Sequence, residues 1–286
     1  MPRVLIAGCG YVGATTADLL FSRGWEVEGW TRSQESAEKL GRKAYAVRAV
    51  DITNGAEVAN CSTSFEAVIH CASTRGGGAE RYRGLYLGGA RNLCERFARS
   101  TIVFTSSTSV YAQTDRSWVT EESAAEPPGD SGRILLETEK LVLEHGGIVA
   151  RLAGIYGPGR SALLEKFLTG EAVIDPDHDR FINQVHRDDI ATALVLLVER
   201  HPLRGEIYNV VDNHPILQSE CYRWLAAKLN CPLPPVGRSP APRKRGASNK
   251  RVSNAKLRAL GWEPQYPNFS VAMENSILPS FQSKVL

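Results

Sequence analysis

Three observations predict an α/β protein: a doubly wound parallel sheet followed by a smaller C-terminal α/β lobe. Short apolar runs alternate with amphipathic segments through the first 150 residues. The runs are almost continuously apolar rather than alternating, as strands covered on both faces are. Beyond Arg151 the texture changes to loops, helices and isolated strand patterns.

In order, VLIA, EVEGW, YAVRAV, EAVIHCA, TIVFTSS and GIVARL are expected strands. Helical periodicity is clearest over 15–23, 85–99 and 134–145. GIYGPGR is expected to be a loop, SALLEKFLTG a helix and DPDHDRFINQVHRDD mostly irregular. A helix follows over 189–200, with Asp188 as its N-cap. EIYNVV is another strand, 218–229 a helix, CPLPPVGRSPAPRKRG a connector, and 268–278 a last helix. The expected division is a first domain over 1–155 and a second lobe over 156–286. Residues 187–212 of that lobe are expected to pack back on the first sheet.

The bulk numbers exclude several classes. With 286 residues, 43% hydrophobic and 23% charged, the chain can bury a substantial core. A net charge of +3 is too small and too dispersed to predict nucleic-acid binding. Six scattered cysteines form no CxxC pair, and the six histidines no ligand cluster, so neither disulfides nor a metal are expected. Reduced cysteines suit a cytoplasmic protein. No secretory leader is read at the N-terminus and no membrane span anywhere.

GCGYVG fits G-x-G-x-x-G, follows a strand, opens a helix and is succeeded by a second strand, the context of a Rossmann-like dinucleotide site. Gly8 permits the tight turn, Gly10 lets backbone N–H groups reach a pyrophosphate, and Gly13 brings helix and strand close. Cys9, Tyr11 and Val12 complete the loop. The helix N-terminus adds partial positive charge where the phosphates sit. The second strand ends in Thr31, Arg32 and Ser33, with no carboxylate to take a ribose hydroxyl. Arg32 is a planar cation suited to a 2′-phosphate, so NADP is expected over NAD.

With these residues in hand, the chain resembles the extended and atypical short-chain dehydrogenase/reductases, the NAD-dependent epimerase/dehydratase group. The resemblance implies adenine contacts from Asp51 and Ile52 in VDIT, and cofactor contacts from Cys71, Ala72 and Ser73 in VIHCAS. It places the group's catalytic serine on Ser107 in FTSSTSVYA. It likens GIYGPGR to the segment crossing from cofactor to substrate, and QVHRDDIATA to a His-x-x-Asp segment carried by His186 and Asp189. GEIYNVVD and KLRALGW complete the pattern.

One departure stands out. Redox members of the group carry Tyr-x-x-x-Lys on the helix after the serine strand; the lysine lowers the tyrosine's pKa. Here that helix is SGRILLETE, and matching Glu139 puts Ser131 at the tyrosine position and Leu135 at the lysine position. No tyrosine in the chain is followed four residues later by lysine. The group's asparagine on the preceding helix is also missing, with Tyr86 near its place. Ser107 and Thr108 remain as hydroxyl donors, with Tyr111 and Tyr156 as candidate phenols. Arg160 and His186 fall on the substrate side, His186 also as a tie between lobe and sheet. PRKRGASNKR gathers Arg243, Lys244, Arg245, Lys250 and Arg251, a candidate anion clamp.

The expected function is therefore that of an NADP-dependent oxidoreductase or epimerase-like enzyme acting on a small molecule, a sugar or nucleotide sugar among the candidates. The alternatives are a catalytically silent NAD(P)-binding sensor or structural protein, and a sugar-nucleotide isomerase or lyase. Helices 85–99 and 134–145 are candidates for a homodimer interface.

Overall fold

The computed structural model describes residues 1–61, 64–74, 78–200, 203–238 and 248–282. Seven strands form one parallel sheet: β1 (Arg3–Ala7), β2 (Glu26–Thr31), β3 (Ala46–Ala49), β4 (Ala67–His70), β5 (Thr101–Ser107), β6 (Ile148–Leu152) and β7 (Ile207–Val210). Their spatial order is β7-β6-β5-β4-β1-β2-β3. Every residue of β4 and β6 is buried, which a sheet achieves only when both faces are covered. The doubly wound α/β class is what the apolar runs predict.

Helix α1 (Tyr11–Ser22) buries Gly13, Thr16, Ala17 and Leu20, a stripe at helical spacing, and packs along the Arg187–Glu199 helix. Helix 78–96 and the Asp130–Glu144 helix pack against each other. The strand Ile207–Val210 joins the sheet beside β6, and Val185, Ile190 and Leu194 share its apolar cluster. A second cluster forms around Tyr156, Leu164, Tyr222, Phe269 and Met273.

Helix beginnings differ most from expectation. The first helix starts at Tyr11 rather than at 15; Gly13, a poor helix former inside its first turn, masks that start in the sequence. The helix expected over 85–99 spans 78–96, with a π turn over Gly84–Gly88. The helix expected at 134 begins at Asp130, and the last runs over 269–282, capped by Asn268. Asp188 is not an N-cap. The helix is Arg187–Glu199, and the His186 ring nitrogen Nδ1 accepts the Asp188 N–H at 3.2 Å. Part of the expected GIYGPGR loop is a strand: Gly154–Tyr156 pairs in parallel with Gln184–His186. Three residues are too few to show a period in sequence.

Candidate dinucleotide and reaction site

The carboxyl ends of β1 to β5 form one edge of the sheet, and the strand order reverses between β1 and β4. In open α/β sheets that reversal opens the ligand crevice. The glycine loop lies there. Gly8 and Cys9 donate to the Trp30 carbonyl at 3.0 and 2.8 Å, anchoring the loop to β2. The three glycines meet three different demands. Gly8 has φ +104°, and a Cβ on it would lie 2.2 Å from the Ala72 nitrogen. A Cβ on Gly13 would lie 2.2 Å from the Gly8 carbonyl oxygen, so helix and strand touch. A Cβ on Gly10 would meet nothing within 4 Å. That open space fronts α1, whose N-cap Gly10 supplies no side-chain cap. Free N–H groups facing an open cradle fit a pyrophosphate.

The flanking strand ends carry the other expected contacts. Thr31 is buried and donates to the Ser33 carbonyl at 3.1 Å, while Arg32 and Ser33 are exposed. The acid within β2, Glu28, is buried and accepts from Trp30 Nε1 at 2.9 Å, away from the strand end. Asp51 Oδ1 accepts from the Thr53 N–H and hydroxyl at 2.9 and 2.8 Å. Ile52 is buried, its carbonyl accepting from Asn92 at 2.8 Å. Cys71 donates its N–H to Ala7 at 2.8 Å, Ala72 backs Gly8, and Ser73 is exposed. The Val12 side chain packs at the edge of the core and the Cys9 thiol is buried, pushed up to about 11 by burial; the loop offers its backbone instead.

The other end of the crevice is organised differently. Ser107 Oγ accepts the Ser109 N–H at 3.2 Å, and Thr108 is buried at the start of a short 3₁₀ turn. Ser131 is exposed and Leu135 is core, so these two positions supply neither phenol nor ammonium. Tyr111 has no accessible surface. Its hydroxyl accepts from Arg151 Nη1 at 2.8 Å and donates to Asn209 Oδ1 at 2.9 Å. Arg151 grips Glu139 through Nε and Nη2, at 2.6 Å for the shortest contact, and Ser106 donates to Glu139 at 2.5 Å. This network ties β5, β6, β7 and the Asp130–Glu144 helix together. Burial raises the Tyr111 phenol despite the cation beside it. Its hydroxyl, expected as a candidate catalytic phenol, is held on both sides by protein partners.

Sequence reading missed this network. Its one signal is Arg151 itself, a charge inside the apolar run GIVARL, which demands a buried partner.

Tyr156 is also buried, its hydroxyl without a hydrogen-bond partner among the described residues. Burial, with Asp212 and Asp189 nearby, pushes it well above the usual phenol range. His186 is fully buried: Nε2 faces the Ser276 hydroxyl at 2.9 Å, and the ring lies 3.9 Å from that of Tyr266. Burial holds its pKa down to about 4, so the imidazole stays a neutral acceptor. Asp189 accepts the Gln265 and Tyr266 N–H groups at 2.6 and 3.1 Å. Both residues of the His-x-x-Asp segment thus tie elements together, and no open substrate contact is seen at His186. Arg160, expected on the substrate side, lies over the ring of Tyr11 in the glycine loop.

Of the basic stretch, Arg243, Lys244 and Arg245 lie outside the described residues. Lys250 and Arg251 do not form an exposed clamp. Lys250 is 6% exposed and donates to the Tyr111 carbonyl at 2.9 Å; Arg251 sits between the Trp118 and Phe181 rings.

A doubly wound parallel sheet with a glycine-rich turn at its switch point defines an α/β protein of the Rossmann class. The model of the NAD dependent epimerase/dehydratase family matches residues 4–210, and the chain belongs to that family. Among curated proteins it is similar to Protein YeeZ of Escherichia coli K12, 31% identical over 284 residues, covering 94% of this chain and 97% of that one. A Methylobacillus flagellatus protein assigned provisionally to the NAD-dependent epimerases/dehydratases is 28% identical, with a TM-score of 0.80 over 98% of this chain and 99% of the other. The UDP-glucose 4-epimerase of Thermotoga maritima, solved with UDP-glucose, has a TM-score of 0.85 over the whole of both chains at 19% identity, a likeness of fold. No helix among the described residues is long and apolar enough to cross a membrane.

Proposed function

We propose that the protein is an NADP-binding oxidoreductase or epimerase-like enzyme acting on a small carbonyl- or hydroxyl-bearing molecule, with sugars and nucleotide sugars as the first substrates to try. One observation carries this reading: Gly8 and Gly13 have no room for a Cβ, whereas Gly10 faces open space at a helix N-terminus. A ligand approaching the backbone at that helix N-terminus accounts for glycine at a position with room for a side chain. Exposed Arg32 at the end of β2 supports NADP over NAD.

When bound, the nicotinamide supplies hydride chemistry. The chain contributes position and polarity. Ser107 keeps its own proton to donate to a substrate oxygen, since its Oγ already accepts from Ser109. The oxygen's final proton comes from water, because Tyr111 is committed and Leu135 occupies the lysine position. Loss of a positioned acid costs ~10²–10⁴ in rate, so slow turnover is expected.

The silent-binder reading is favoured by the same burial of Tyr111, Tyr156 and His186. Incubation of the protein and NADPH with a quinone, flavin, aldehyde and keto-sugar panel separates the two. Oxidation of NADPH by one class supports the enzyme; tight NADPH binding with no turnover moves the reading to a sensor. Arg32→Ala is expected to weaken NADPH by roughly 10- to 100-fold and leave NADH nearly unchanged. Equal weakening of both contradicts the NADP preference.

A further inference from the structure

Tyr11, the first residue of α1, is held from across the cleft. Its hydroxyl donates to the Pro158 carbonyl at 3.1 Å. Gly157, at φ +154°, presses against it so closely that a Cβ there would lie 2.7 Å from the phenol oxygen and 3.2 Å from Arg187 Cβ. The Arg160 and Arg187 guanidinium carbons lie 5.4 and 5.0 Å from the centre of the Tyr11 ring. Arg187 pairs with Asp188 at 2.8 Å. Arg160 is exposed and has no ion pair among the described residues.

Side chains at a helix start lean back toward its N-terminus, here toward the open cradle at Gly10. Two guanidiniums therefore converge on the positive end of α1, with Asp188 paired to Arg187 beside them. Like charges gathered at a positive helix end repel one another unless an anion joins them. Contact with the Tyr11 ring limits the rotamer freedom of both side chains before any ligand arrives.

Building on the dinucleotide reading above, we propose that Arg160 and Arg187 form the second half of the pyrophosphate site. They grip the cofactor's diphosphate from the side facing the glycine loop, with Tyr11 as the spacer that aims them. Arg160 thereby belongs to the cofactor rather than to the substrate. The GPGR turn becomes a strap across the cofactor's middle.

Calorimetric titration of the full chain and its Arg160→Gln, Arg187→Gln and Arg160→Lys variants tests this, with NADPH, ADP-ribose, 2′-AMP and UDP-glucose as probes. Either glutamine variant is expected to weaken NADPH and ADP-ribose by roughly 10- to 100-fold, with Arg160→Lys intermediate. Binding of 2′-AMP, which has no diphosphate, stays unchanged. Variants that bind ADP-ribose as the wild type does overturn the proposal, as does equal weakening of 2′-AMP, a bulk charge effect. Weakening of UDP-glucose alone gives the arginines to a substrate diphosphate and also overturns it. A wild type that binds neither NADPH nor ADP-ribose defeats the dinucleotide reading itself. Arg160 is exposed, so its variants are expected to fold.

Discussion

Around the β4–β1–β2 part of the crevice, Gly10, Arg32 and Ser73 are exposed, whereas under β5, β6 and β7 the polar side chains bond one another. Ser106, Glu139, Arg151, Tyr111 and Asn209 form a closed chain with almost no accessible surface. The first region keeps capacity for a ligand, chiefly in the backbone; the second satisfies itself. Fold and chemistry are thus separable here. In the proposed reading the family's binding surface is retained, while the positions matched to its acid–base pair carry Ser131 and Leu135, and Tyr111 is buried.

Breaking the closed region has the largest expected effect. Arg151→Met leaves the Glu139 carboxylate buried without its cation and is expected to destabilise the fold by about 3–5 kcal/mol. Urea denaturation measures this. Adding Glu139→Leu is expected to restore most of the loss, since an apolar pair of similar volume tolerates burial. A double variant as unstable as the single would show that the network does more than satisfy itself.

His70 sits between the two regions, at the end of β4, packed 5.3 Å from Phe104 and 6.3 Å from Tyr86. Burial lowers its pKa from 6.5 to about 4. The neutral ring is the form the fold holds. Its contribution is present above pH 6.5 and lost progressively as pH falls toward 4. At a slope of 1.36 kcal/mol per unit, that window is worth about 3 kcal/mol. His70→Phe removes the acid-sensitive group. Its stability relative to wild type is expected to rise between pH 6.5 and 4, as urea midpoints across that range would show. A constant difference would mean that His70 binds its proton equally in the folded and unfolded states.

The parallel sheet was legible because buried strands write continuous apolar runs, and the glycine loop because each glycine answers a different steric demand. Gly8 and Gly13 show the tight turn and the close helix–strand approach expected of them, and Gly10 faces open space. Less legible were features that depend on partners distant in sequence. Tyr111 and Asn209 are 98 residues apart, and no local pattern announces their bond. The His186 cap escaped for another reason: an imidazole caps a helix only while neutral, and its neutrality comes from burial that the sequence does not display. Asp188, the residue with the right chemistry for a cap, sits one position inside the helix and pairs with Arg187. Arg160 was expected on the substrate side; its position over Tyr11 was not legible, because the GPGR turn sets its direction.

The smallest expected effect on stability accompanies the largest on binding, at Gly10. A methyl group there meets no protein atom within 4 Å and requires no left-handed backbone, so Gly10→Ala is expected to keep the fold's stability within about 1 kcal/mol. The same methyl occupies the space assigned to the cofactor's diphosphate. Titration of NADPH into wild type and Gly10→Ala, with melting curves alongside, is the direct test. The account expects unchanged melting and an affinity lowered at least a hundredfold. Undiminished NADPH binding by a well-folded Gly10→Ala would contradict it.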